Sequence, residues 1–171
     1  GVPSTTFGNG AHVGASFFNL SGATTSDSYD ELIGSAMSQV DGSLFLLARH
    51  GIYPSLGSPT NLSVIKVQPN GQLDLSFGGD GINLIPNVAV QGSWAAHPLG
   101  ITTDSAGSVF VAYYTSAWTG SGTTATIEVA KFRPNGTYDT SFGGGDGKAV
   151  IEMSGDSSNT REGAQLLSID S

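Results

Sequence analysis

The chain has 171 residues, 25 of them glycine and none cysteine, and its 6 basic against 14 acidic side chains give a formal net charge of −8. A balance this acidic repels phosphate backbones and anionic lipid surfaces, so nucleic acid is not an expected partner. The absence of cysteine removes disulfides, thiolate metal sites and cysteine nucleophiles together. Hydrophobic residues at 38% can bury enough surface to offset chain ordering, and the length suits one ordinary domain. Charged residues are only 12% of the chain, about half the usual share. Polarity carried instead by Ser, Thr, Asn and Gly leans toward an extracellular surface. No apolar run reaches the ~20 residues needed to cross a bilayer as a helix, so no membrane insertion is expected.

Taken in chain order, the first ten residues, GVPSTTFGNG, show neither a charged nor an apolar leader region and read as a chain after processing or at a fragment boundary. The first internal strand is VDGSLFLLA (residues 40–48), entered through an Asp-Gly turn, and the next is LSVIKV (62–67). Then comes PNGQLDLSFGGDG (69–81). The whole series returns 65 residues later as SAGSVFVAY (105–113), TIEVAKF (126–132) and PNGTYDTSFGGGDG (134–147). Pro69, Asn70, Gly71, Asp74, Ser76, Phe77 and Gly78 map onto Pro134, Asn135, Gly136, Asp139, Ser141, Phe142 and Gly143. Upstream, IGSAMS (33–38) aligns with LGITTD (99–104) after a one-residue slip.

Periodicity of this kind is read before anything else, because it decides the architecture. Residues 31–92 and 93–159 are two full units. Residues 1–30, with Phe7-Gly8-Asn9-Gly10, read as a partial repeat carrying the last strand of a preceding unit, and 160–171 as the first strand of a following one. Each unit reads as four short strands of five to seven residues, rich in β-branched and aromatic side chains. No segment has helical apolar spacing over three turns, so almost no helix is expected. In the duplicated string, Pro sets φ for a turn and Asn-Gly supplies the positive φ. Leu73 or Tyr138 is then expected to enter the next strand, with Phe77 or Phe142 anchoring it before the glycine cluster.

A four-stranded sheet of ~65 residues repeated in series is the pattern of an all-β fold of β-propeller-type antiparallel blades, each too small to cover its own faces. The string Pro-Asn-Gly-x-x-Asp-x-Ser-Phe-Gly-Gly after an Asp-Gly hairpin also resembles the delta-60 repeat, over roughly residues 6–171. Two departures stand out: Ala106 replaces the hairpin aspartate Asp41, and the units are long for that family. The resemblance implies a secreted or cell-surface bacterial protein with a propeller-like fold, and no common chemistry. Two full units fall short of the four to eight blades of a closed ring. The expectation is therefore a homo-oligomer or filament that completes a ring or propagates through incomplete blades, or else a longer polypeptide.

Three functions remain compatible with these readings. The first is a structural or adhesive repeat protein. The second is a carbohydrate-binding, lectin-like module. Tyr53 and Trp118 fall in equivalent segments, HGIYPSLGSPT (50–60) and YTSAWTGSGTT (114–124), read as loops whose aromatics can stack on glycan rings. Trp94 is read as packing between units. The third, less supported, is a glycoside hydrolase using a carboxylate pair among Glu31, Glu128, Glu152, Glu162 and the aspartates. No nucleophile elbow or phosphate-loop lysine is present, and His12, His50 and His97 lack zinc-ligand spacing. No enzyme activity is expected. Calcium is the one candidate cofactor, with Asp74, Asp80, Asp139 and Asp146 of the repeated turns as its ligands. The alternative for these four is that each bonds its own turn backbone.

Overall fold

A computed structural model describes residues 7, 8, 20, 28–52, 61–85, 97–118 and 123–152, and among them it is all-β with no helix. Eight strands form two antiparallel sheets with identical order. The first contains β1 (Ser28–Met37), β2 (Leu44–Ile52), β3 (Asn61–Val67) and β4 (Ile82–Ile85); the second contains β5 (His97–Thr103), β6 (Val109–Trp118), β7 (Thr123–Phe132) and β8 (Lys148–Glu152). Each is a simple meander in chain order. The register repeats too: β1 slips against β2 between Leu32 and Gly34, and β5 against β6 between Pro98 and Gly100. Both slips are bulges that increase local twist, and Pro98 is tolerated because β5 is an edge strand.

Alternation along the strands gives each sheet two unlike faces. The front of the first sheet carries Phe45, Leu47, Leu62, Val64 and Ile85, and the back of the second carries Val109, Val111, Tyr113, Ala130 and Phe132. These residues are all buried and form one core cluster between the sheets, with Phe77 and Ile101. At about 1.5–3 kcal/mol for each large apolar side chain fully buried, this joint layer is the main reason the two sheets stay together. Strand β5 packs against β1 and β2, and the Thr103 hydroxyl donates to the Met37 carbonyl at 2.9 Å. The back of the first sheet forms a smaller cluster, Ala48, Ile65 and Val67, with Leu20 lying on it.

Three details depart from the sequence reading. Strands β2, β6 and β7 run to nine or ten residues. Residues 114–118 are not loop: they continue β6 and pair with β7 up to Trp118 opposite Thr123. The Thr-rich arms favour extension there, and the Thr115 and Thr126 hydroxyls meet at 2.9 Å. Finally, Leu73 and Tyr138 do not begin a strand. Each makes a single bridge, to Val67 and Phe132, and the fourth strand starts only after the glycine cluster. The reason is Asp74 and Asp139, whose side chains turn the backbone before a ladder can propagate.

Candidate functional site

The duplicated string folds the same way twice. Asn70 and Asn135 each accept, through Oδ1, the amide two residues on, at 3.0 Å. Asp74 Oδ1 accepts the Ser76 amide at 3.1 Å and hydroxyl at 2.6 Å, and Asp139 Oδ1 accepts the Ser141 amide at 3.2 Å and hydroxyl at 2.7 Å. Asp80 and Asp146 each accept, at 2.9 Å, the amide that starts the fourth strand. Side chains that bond their own backbone two residues on are turn formers, competing with both strand and helix.

Beneath each turn lies a lysine. Lys66 Nζ stands 2.9 Å from Asp41 and 2.8 Å from Asp74, with only 7% of its side chain exposed. Its repeat mate Lys131 stands 3.0 Å from Asp139 and 3.9 Å from Asp104. Each ammonium also lies over a phenylalanine, 5.6 Å from the Phe45 ring centre and 5.1 Å from that of Phe110. Those rings meet Phe77 and Phe142 edge to face, at 5.5 and 5.6 Å. The hairpin aspartate missing at Ala106 is therefore supplied by Asp104, whose Oδ1 also accepts the Ala106 and Ser108 amides. The second hairpin is one residue shorter, which is why the carboxylate moves along the chain to reach the equivalent lysine, Lys131.

The electrostatics follow from this geometry. Burial alone would raise the Asp41 carboxyl, but the Ser43 amide and the Lys66 ammonium, with the Ser38 and Ser43 hydroxyls, hold it well below the usual carboxylate range. The same opposition lowers Asp74, where Lys66 and Ser76 outweigh burial. At Asp139 the Ser141 hydroxyl and Lys131 dominate, with Arg133 assisting at 3.3 Å. Burial would lower Lys66, yet its two carboxylates raise it. The position between the paired aspartates is thus taken by an ammonium. Among the described residues no group of three or more His, Asp or Glu is arranged to hold a metal ion.

The turn also joins one unit to the next. The Gly78 amide, following Phe77, donates to the Asn135 carbonyl at 3.0 Å, and Asn83 donates its side-chain amide to the Gly136 carbonyl. In the same way the Gly8 amide, following Phe7, donates to the Asn70 carbonyl at 2.9 Å. Among the described residues nothing packs over the corresponding front of the second sheet. Phe142 is half-buried where Phe77 is fully buried, and Ile151 is 54% exposed where Ile85 is 0%. Gly143, Gly144 and Ala149 line an open cleft of about 490 Å³ in the place where the first sheet receives the Pro134-Asn135-Gly136 turn.

The remaining candidates are not gathered into a site. Tyr53, Trp94 and Glu162 lie outside the described residues, and of Trp118 only the backbone, at the end of β6, is described. Glu31 bonds Arg49 on the first sheet. Glu128 on the second accepts the Tyr113 hydroxyl at 2.7 Å and faces Lys148 at 3.8 Å. Burial and that carboxylate raise the Tyr113 hydroxyl, and burial with Glu128 and Asp146 pushes neighbouring Tyr138 up to about 12. His50 is buried against the Ser63 hydroxyl at 2.8 Å. Sequence reasoning missed Lys66, Lys131 and Asp104; the signal it had was two lysines at the repeat offset among only 6 basic residues. Comparison with known proteins gives no matching family model, no matching curated protein and no matching solved structure.

Proposed function

We propose that this is a secreted or cell-surface repeat protein of propeller type, related to the delta-60 repeats, with a structural or adhesive role exerted by stacking its sheets into larger assemblies. The observation that carries this reading is the recurrent joint between units. A Phe-Gly amide caps a Pro-Asn-Gly turn at Gly78 and Asn135 and again at Gly8 and Asn70. A joint made twice by the same residue types is a modular contact, and arrays of such contacts are stabilised mainly by nearest-neighbour interfaces. The polar residues of the turns are consumed in holding that joint's shape, which leaves stacking rather than chemistry as the role the geometry supports.

Multi-angle light scattering of the purified chain over a hundredfold concentration range tests the proposal. The expected result is mass rising above that of one chain as concentration increases. A single-chain mass throughout, in physiological salt, would remove the assembly role.

A further inference from the structure

Resting on that reading, we propose that the open front of the second sheet is a docking surface for a second copy of this chain, bound head to tail. The Phe142-Gly143 corner of one copy would take over the Asn70 turn that Phe7-Gly8 holds in its partner copy. The argument is continuity with an interface already present. Within one chain, the front of the first sheet covers the back of the second, and the Phe77-Gly78 corner caps the Asn135 turn. The front of the second sheet repeats that surface: Phe110, Phe142, Ile127, Val129 and Ile151 stand where Phe45, Phe77, Leu62, Val64 and Ile85 stand in the first. What it fits is therefore the back of a repeat sheet ending in a Pro-Asn-Gly turn.

In a second copy the back left for this contact is that of the first sheet, apolar at Ala48, Ile65 and Val67 with its turn at Asn70; these side chains are buried in their own chain with Leu20 packed on them, so docking has to displace that cover as well. That turn is held in its own chain by the Gly8 amide. The N-terminal Phe-Gly is thus a strap that competes for the same carbonyl, and it limits assembly until displaced. Two substitutions between the units make the contact between copies weaker than the one within a chain. Ala149 replaces Asn83, removing the side-chain amide that bonds the turn, and Ala112 replaces Leu47 on the front. The result is reversible association rather than permanent fusion, strengthened by salt, because each copy carries a net charge of −8.

Sedimentation velocity on the full chain, from about 10 μM to 1 mM, tests this with four variants. Ile151→Lys places a charge on the front and should weaken association at least ~10-fold. Leu75→Lys adds the same charge at a position that is 64% exposed although its own sheet's front is covered, and should match wild type. Ala149→Asn restores the lost donor and should tighten association roughly fivefold, the worth of one hydrogen bond. Gly8→Pro removes the strap's donor, and because Gly8 has φ 131°, which proline cannot adopt, it should tighten association further. Circular dichroism checks that each variant is folded. Association of wild type that Ile151→Lys leaves untouched overturns the docking surface while the assembly role stands. Loss with Ile151→Lys but no response to Gly8→Pro shows front-to-front pairing and overturns the head-to-tail arrangement. A Gly8→Pro chain that stays monomeric at 1 mM overturns both readings.

Discussion

Replacing Lys66 by Met puts the buried ion pairing of the first sheet to the test. Its ammonium, with 7% of the side chain exposed, lies 2.9 Å from Asp41 and 2.8 Å from Asp74, whose side chains are 42% and 13% exposed. Removing one partner of a buried ion pair costs about 3–5 kcal/mol, because the other charge stays desolvated and unpaired. Asp41 is open enough to recover water, so its share is small; the loss should sit at the low end, about 3 kcal/mol. For a chain of this size that lowers Tm by roughly 6–12 °C. The assay is urea unfolding across a cycle of Lys66→Met, Asp74→Asn and the double variant. Because Asp74→Asn removes the stranded charge, the double variant should recover most of the loss. Acid gives an independent check. In wild type Asp74 is held below its unfolded value of 3.8, so as pH falls below 3.8 the unfolded chain binds more protons and stability drops. In Lys66→Met, Asp74 lacks its cation and takes a proton readily, so the gap to wild type should close on acidification. Additive single-variant effects, or a gap that widens in acid, would refute the reasoning.

Lys131→Met should cost clearly less than Lys66→Met in the same assay, since Lys131 is 20% exposed and Arg133 also reaches Asp139. Phe77→Ala, deleting a ring that is 0% exposed between the sheets, should cost about 3–5 kcal/mol by urea unfolding, whereas Phe142→Ala on the open front should cost roughly half as much. Gly136→Ala should be more damaging than Gly145→Ala. Both have positive φ, but a Cβ at Gly136 would press on the Asn83 amide at 2.7 Å while one at Gly145 meets nothing within 4 Å, so thermal melts should separate them by about 1–2 kcal/mol. His50 predicts a pH slope of its own. Burial lowers its pKa below 6.5 against the opposing pull of Asp30, so as pH falls through 6.5 the unfolded chain gains a proton that the native chain refuses. Stability should decline from pH 7.5 to 5.5, with a shallower decline in His50→Asn; equal slopes would show that His50 is not the cause.

The all-β architecture, the two meanders and the equivalence of Phe77 with Phe142 were legible because each is written in consecutive residues and then written again. The strand after Pro-Asn-Gly was misread because Leu-Asp-Leu-Ser-Phe alternates like a strand. Only the geometry shows Asp74 bending it through bonds to Ser76 that alternation cannot encode. The Asp104 substitution for Asp41 was opaque for another reason. A hairpin one residue shorter brings a different chain position to the same point in space, so alignment finds Ala106 and loses the carboxylate. The lysines were visible as letters, but strand alternation marks a lysine at that position as an error, not as the centre of a pair. Pairing across ~25 residues of sequence is a tertiary fact.

Where the two units agree and where they differ is itself informative. Residues that shape the Pro-Asn-Gly turn and the lysine beneath it are the same in both, Asn70 and Asn135, Asp74 and Asp139, Lys66 and Lys131, Phe45 and Phe110, while the hairpin carboxylate shifts from Asp41 to Asp104. Residues on the faces toward a neighbour diverge. On the backs, Ala48 and Ser63 become Tyr113 and Glu128, joined at 2.7 Å; on the fronts, Leu47 and Asn83 become Ala112 and Ala149. If the units were interchangeable bricks, the faces would be as alike as the turns. The large back of the second sheet instead matches the large front of the first. In the proposed contact between copies, the smaller front of the second would meet the smaller back of the first, in a looser fit that the Phe7-Gly8 strap contests. Divergence on the faces thus sets an order of strength for the contacts: a firm joint within the chain and, in the proposal, a weaker and displaceable one between copies.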